Sequence, residues 1–274
     1  MKPNDPMVAV TWLADNIHNP NVLVVDTTWC MPGDIEPYPN TYIEGVRFDI
    51  DEIADQSAGF SHTLPTPEHF EYAVRNLGVN NDTHVICYDR HGLFSAPRAW
   101  WMFRVMGHEK VNVLDGGLPA WVKAGQATVA AYKSLDKGTF EATFQPNLYR
   151  DTNEMRDTLY KGTILDARPS GRFNGTAPEP RAGLNSGHMP SSTNVPFSEL
   201  KTSDGYLKRA VDLCDVFMTR QIELNKPIIT TCGSGITACG IALALARLGS
   251  WDTAVYDGSW TEWASTDNCP IDKV

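Results

Sequence analysis

Cys232 is the residue of this chain best surrounded for chemistry. It opens the run Cys232-Gly233-Ser234-Gly235-Ile236-Thr237-Ala238, which follows the apolar segment Pro227-Ile228-Ile229-Thr230-Thr231 and leads into a helical pattern at 238–248. A parallel strand that ends in a glycine-containing loop before a helix puts that loop at the carboxyl edge of its sheet, where open α/β folds bind ligands. Two glycines let the backbone curl until successive N–H groups converge as an anion-holding nest, and the helix contributes the positive end of its dipole. Both favour thiolate over thiol, and the thiolate is the nucleophilic form of cysteine. The same residues would also suit a plain glycine-rich turn around a small buried cysteine.

The other cysteines, Cys30, Cys87, Cys214, Cys239 and Cys269, have no such surroundings. With no C-x-x-C pair and no histidine cluster at ligand spacing, neither a metal nor another cofactor is expected. Acidic residues number 33 against 23 basic ones, a net charge of −10, and no run of Lys or Arg occurs. That balance argues against nucleic-acid and anionic-membrane partners, so any anionic ligand must be drawn by a local site. No stretch approaches the roughly 18 apolar residues of a membrane span. In the absence of an apolar export signal near the N terminus, reduced thiols and a cytoplasmic location are the expectation.

The elements that would position Cys232 occur twice. Val22-Leu23-Val24-Val25-Asp26 is echoed 140 residues later by Thr163-Ile164-Leu165-Asp166, and Leu114-Asp115-Gly116-Gly117 is echoed 142 residues later by Tyr256-Asp257-Gly258-Ser259. Trp121, Trp260 and Trp263 follow these Asp-Gly turns and read as core residues. Between the anchors, Thr83–Tyr88 leads to a helix at 97–106, just as 227–231 leads to 238–248. Short apolar strands alternating with helices imply an α/β fold with parallel sheets covered on both faces by helices. Two tandem domains are expected, at 1–130 and 151–274, with a linker at 131–150 where hydrophobic periodicity fades. Counting back 143 residues from Cys232 gives Asp89. A carboxylate cannot do a thiolate's chemistry, so the first domain is expected to be catalytically inactive.

These residues resemble the tandem-domain rhodanese-like sulfurtransferases, and among them those that use 3-mercaptopyruvate. The loop at 232–238 carries the resemblance, with Asp166-Ala167-Arg168, Arg172-Phe173-Asn174-Gly175, Pro178-Glu179-Pro180-Arg181, Gly187-His188-Met189-Pro190, Phe48-Asp49-Ile50-Asp51 and His62-Thr63-Leu64-Pro65. The resemblance implies an enzyme that transfers sulfur through a persulfide on Cys232 and releases pyruvate, with a small thiol, cyanide or a thioredoxin-like protein as acceptor. It also implies that Arg172 and Arg181 bind the donor's carboxylate and carbonyl, a role that suits a planar guanidinium. Ser234, His62 and Asp51 become a proton relay, and Gly233, Gly235, Ile236 and Thr237 complete the expected substrate-binding set. Because Asp51 and His62 lie in the first half and Ser234 in the second, that relay requires the halves to meet at a cleft.

Two turns depart from the family pattern, Tyr42-Ile43-Glu44-Gly45-Val46 and the Ser191 that follows Pro190 where a glycine is usual. His91 and His188 read as structural. Thiosulfate is the nearest alternative donor, but enzymes for it resemble this chain less at loop positions two and three, where they carry cations and this chain has Gly233 and Ser234. A cysteine phosphatase needs an arginine six residues after its cysteine, and position 238 is Ala. A non-catalytic binding module would fit the first half alone.

Overall fold

Both halves of the chain build five-stranded sheets with one strand order. The computed structural model describes residues 5–31 and 33–274. In the first unit β1 (Met7–Val8), β2 (Val22–Asp26), β3 (Val46–Arg47), β4 (His84–Tyr88) and β5 (Val111–Leu114) lie in the order β1-β5-β4-β2-β3, and every pairing is parallel. Its helices are α1 (Val10–Asn16), α2 (Ile50–Ile53), α3 (Pro67–Asn76), α4 (Ala96–Val105) and α5 (Gly117–Lys123). β2 and β4 are continuous apolar runs because a central parallel strand is covered on both faces. Helix α3 starts where Thr66 accepts the His69 N–H and Pro67 supplies a preset φ, and it buries Phe70 and Val74 one turn apart.

The second unit repeats the order as β6-β10-β9-β7-β8, again all parallel, from β6 (Tyr149–Arg150), β7 (Thr163–Asp166), β8 (Thr193–Asn194), β9 (Ile228–Thr231) and β10 (Ala254–Tyr256). Helices α6 (Thr152–Thr158), α7 (Ser170–Phe173), α8 (Ala210–Met218), α9 (Ala238–Arg247) and α10 (Ser259–Trp263) accompany it. Asp151 and Glu154 form a reciprocal capping box that starts α6. Helix α9 is buried along its length from Ala238 to Ala246, as a helix apolar on all sides must be. Trp260 and Trp263 pack into the core with Met155, Ile164, Met189 and Tyr256, and Trp121 packs into the first unit's core.

By contacts, short segments are exchanged between the two compact units. One comprises the residues up to Asp55, Leu64–Gln145 and Thr202–Leu207; the other comprises Gln56–Thr63, Pro146–Lys201 and Lys208–Val274. Residues 131–150, between the two repeats, make contacts of their own. Phe140 is buried against Phe70 and His108, Thr143 and Gln145 donate backbone N–H groups to Met106 and Val105, and Tyr149–Arg150 is an edge strand. An extended strap buries isolated side chains rather than a periodic face, which is why its pattern resembled a linker.

His108 illustrates how this packing ties stability to pH. It is buried, with Nε2 2.8 Å from the Thr83 carbonyl, and burial lowers its pKa from 6.5 to about 4 despite that hydrogen bond. The unfolded chain takes up this proton below about pH 6.5 and the folded one only near pH 4, so the contribution is complete above pH 6.5 and is lost as pH falls to about 4. Its size is at most about 3 kcal/mol. His108→Phe is expected to flatten the pH dependence of the urea midpoint across that window; an unchanged slope would assign the acid sensitivity elsewhere.

Candidate active site

Cys232 stands one residue beyond the end of β9, where Asp166 on the neighbouring β7 is paired with Thr231. The start of α10 clamps it there. Trp260 N–H donates to the Cys232 carbonyl at 2.9 Å, while Thr261 donates to the Gly233 carbonyl through N–H at 2.9 Å and Oγ1 at 2.6 Å. The Cys232 N–H donates to Ser259 Oγ at 3.2 Å; that hydroxyl donates in turn to the Tyr256 carbonyl and lies 4.0 Å from Cys232 Sγ. Ser259 holds φ +51, a conformation uncommon for a residue with a side chain. Sequence reasoning passed over it, although its repeat counterpart Gly117, at φ +53, marks the same left-handed position.

Gly235 has φ +81, the curl the loop needs. At Gly233 a Cβ would lie 2.9 Å from Arg172 Nη2, so the guanidinium rests against the cysteine loop. Ile236 is buried, and Thr237 is the N-cap position of α9.

His62 belongs to the second unit, although its sequence neighbours on either side of 56–63 belong to the first. At φ +67 its Nδ1 lies 3.0 Å from Ser234 Oγ and 3.3 Å from the Ser234 carbonyl. The meeting of His62 with Ser234 therefore occurs inside one unit. Asp51 lies in the other unit, on α2, where its carboxylate accepts the Trp29 indole N–H at 2.9 Å. Ser61, beside His62, accepts from Arg181 Nη2 at 2.7 Å, a partner the sequence did not suggest.

Arg172, on α7, donates through Nε at 3.0 Å and Nη2 at 2.5 Å to Glu179 Oε2. The second oxygen of Glu179 accepts from Arg168 Nη1 at 2.9 Å, and Arg168 is further held by Asp166, the Gly187 carbonyl and the face of Trp260. Among the described residues, no three His, Cys, Asp or Glu side chains converge to hold a metal ion.

The matching loop of the first unit shows what such a nest does with an anion. Asp89 is buried; its Oδ1 accepts the His91 N–H at 3.0 Å, and its Oδ2 accepts those of Phe94, Ser95 and Ala96 at 2.7, 2.9 and 2.9 Å. By the 143-residue correspondence these donors match Ser234, Thr237, Ala238 and Cys239. Oδ2 is the second atom beyond Cβ, which is also the place of the terminal sulfur in a cysteine persulfide.

The remaining candidates are structural. Burial pushes the Cys87 thiol well up, and partial burial followed by the Glu36 carboxylate raises that of Cys30. His91 Nε2 lies 3.2 Å from the Trp29 carbonyl; His188 stacks on Phe173 with Nδ1 2.9 Å from the Phe173 carbonyl. Ser191 keeps the expected turn at φ +63, and its hydroxyl accepts the Tyr160 N–H.

Two parallel sheets of one strand order, with a cysteine in the loop at the edge of the second and a carboxylate-filled nest in the first, are a duplicated fold whose two loops differ in that residue. The Rhodanese-like domain family matches residues 9–124 and again 151–266, and the chain belongs to that family. It is 41% identical over 275 residues to 3-mercaptopyruvate sulfurtransferase of Escherichia coli strain K12, covering 97% of this chain and 98% of that one. It is equally 41% identical over 299 residues to the mitochondrial thiosulfate/3-mercaptopyruvate sulfurtransferase 1 of Arabidopsis thaliana, covering 99% of this chain and 79% of that one. The crystal structure of SseA from Escherichia coli, a 3-mercaptopyruvate sulfotransferase of rhodanese fold, matches with a TM-score of 0.85 at 39% identity, covering 94% of this chain and all of the other.

Proposed function

We propose that the chain is a sulfurtransferase that takes sulfur from 3-mercaptopyruvate onto Cys232, releases pyruvate, and passes the sulfur to a thiol or to cyanide. Relatives of nearly equal identity are named for mercaptopyruvate alone (41%), for both donors (41%) or for thiosulfate alone (40%), so local geometry has to choose. The observation that carries the choice is the guanidinium of Arg172 against Gly233. A cationic side chain at loop position two would bring a like charge against the Arg172 guanidinium, whereas Arg172 on α7 and Arg181 on the loop after it suit a carboxylate and an α-carbonyl.

In the first half-reaction the Cys232 thiolate attacks the donor sulfur, the carbon–sulfur bond breaks, and its electron pair leaves as pyruvate enolate. Ser234 and His62 carry the donor's thiol proton to that enolate. The product is a persulfide anion on Cys232, held by N–H groups that match those around Asp89. An acceptor thiol or cyanide then takes the terminal sulfur and returns the thiolate, so the kinetics are ping-pong.

The acceptor class we favour is a small thiol, cyanide or a thioredoxin-like protein. Cys232 and the other cysteines are free, which fits a reducing compartment and a cytoplasmic location, while the Arabidopsis relative is named as mitochondrial. No described helix is long and apolar enough to cross a membrane. The test is turnover with cyanide as acceptor: higher kcat/KM for 3-mercaptopyruvate than for thiosulfate is expected, and the reverse preference overturns the donor assignment.

A further inference from the structure

We infer that Glu179 sets the donor preference of this site, by fixing Arg172 and cancelling its charge so that the pocket accepts a singly charged carboxylate and disfavours a dianion. The inference rests on the reading of Cys232 and Arg172 given above. Glu179 has a side chain only 2% exposed, and it is shared between two arginines, Arg168 on Oε1 and Arg172 on Oε2. Arg168 is itself paired with Asp166 at 2.6 Å. The four charges, Asp166, Arg168, Glu179 and Arg172, alternate in sign and sum to zero. Arg172 therefore reaches the nucleophile loop as an oriented fork of N–H donors with little net charge. Its Nη1 has no partner among the described residues and is the donor left for a ligand.

Arg181 differs. Among the described residues its guanidinium meets the Ser61 hydroxyl and no carboxylate, so it brings the site's uncancelled positive charge. One such cation matches one carboxylate. The second charge of thiosulfate would find no cation at loop positions two and three, which are Gly233 and Ser234. At an effective dielectric of roughly 20, one unit charge several ångströms away changes relative affinity by about tenfold or more.

Glu179→Gln keeps the shape and one acceptor while removing the cancelling charge. The ratio of kcat/KM for thiosulfate to that for 3-mercaptopyruvate should rise by about tenfold. Glu179→Asp keeps the charge but shortens the reach, and it should raise KM for both donors with kcat and the donor ratio nearly unchanged, so a shifted ratio in Glu179→Gln alone marks the charge. A side chain that merely supports the fold would depress both donors alike in both variants. If the Gln variant does not fold, the native protein still decides: pyruvate should inhibit competitively at lower concentration than sulfate, and tighter binding of sulfate overturns the inference. A native protein inactive on 3-mercaptopyruvate would overturn the proposed function itself, whereas native activity with an unshifted ratio in Glu179→Gln overturns the role of Glu179 alone.

Discussion

Cys232→Ser is expected to leave a folded protein that gains no sulfur from its donor and turns over at least about a thousandfold more slowly. The fold should survive because the anchors of this position are main-chain groups. Cys232 donates its N–H to Ser259 and accepts from Trp260 through its carbonyl, and neither bond involves the sulfur. The chemistry should not survive, since a serine hydroxyl is hardly ionised at neutral pH and forms no sulfur–sulfur bond. Intact mass after incubation with 3-mercaptopyruvate should show one added sulfur on the native chain and none on the variant. A sulfur that persists on Cys232→Ser would move the carrier to another cysteine. Cys30 and Cys87 are poor substitutes, because their surroundings raise the thiol pKa.

Asp89→Ala should unfold the first unit more readily than any exposed substitution, by about 3 kcal/mol or more in the urea-derived stability. The carboxylate is fully buried and accepts four backbone N–H groups, from His91, Phe94, Ser95 and Ala96. Alanine would leave those donors without a partner in a place shut off from water, and each unsatisfied buried group is worth about 1–3 kcal/mol. The same comparison has a functional side. In the second unit the corresponding loop carries a thiol whose own atoms stop one short of where Asp89 Oδ2 sits, so sulfur loading at Cys232 should raise thermal stability. A loss within about 0.5 kcal/mol for Asp89→Ala would show that the first loop does not depend on its internal anion.

Much of this was legible in the order of residues. The duplication, the parallel sheets and the cysteine loop all rest on local signals: apolar runs with strand length, glycines at a turn and a helix that follows. Arg172 and Arg181 stand out by motif resemblance rather than by local pattern, and the structure sets Arg172 against the cysteine loop. Ser259 was missed because its left-handed backbone carries a serine instead of the glycine that flags such a position. Glu179 lay inside a quoted motif, yet nothing in its neighbours shows that one carboxylate is shared by two arginines. The strap at 131–150 looked like a linker because Phe140 is buried singly, without a periodic face.

Residue order alone thus suffices for two copies of one α/β sheet, one of them with a cysteine in its glycine-containing loop, since strand and helix patterns and loop composition are written within a few residues of one another. Which residues surround that nucleophile depends on the path of the chain. His62 lies beside Ser234, 172 positions away in sequence, because residues 56–63 fold with the second unit. The neutral chain of Asp166, Arg168, Glu179 and Arg172 likewise exists only once α7 and its loop are packed against β7. Distances of this kind are set by burial and hydrogen bonding among elements remote in sequence, and no local pattern encodes them.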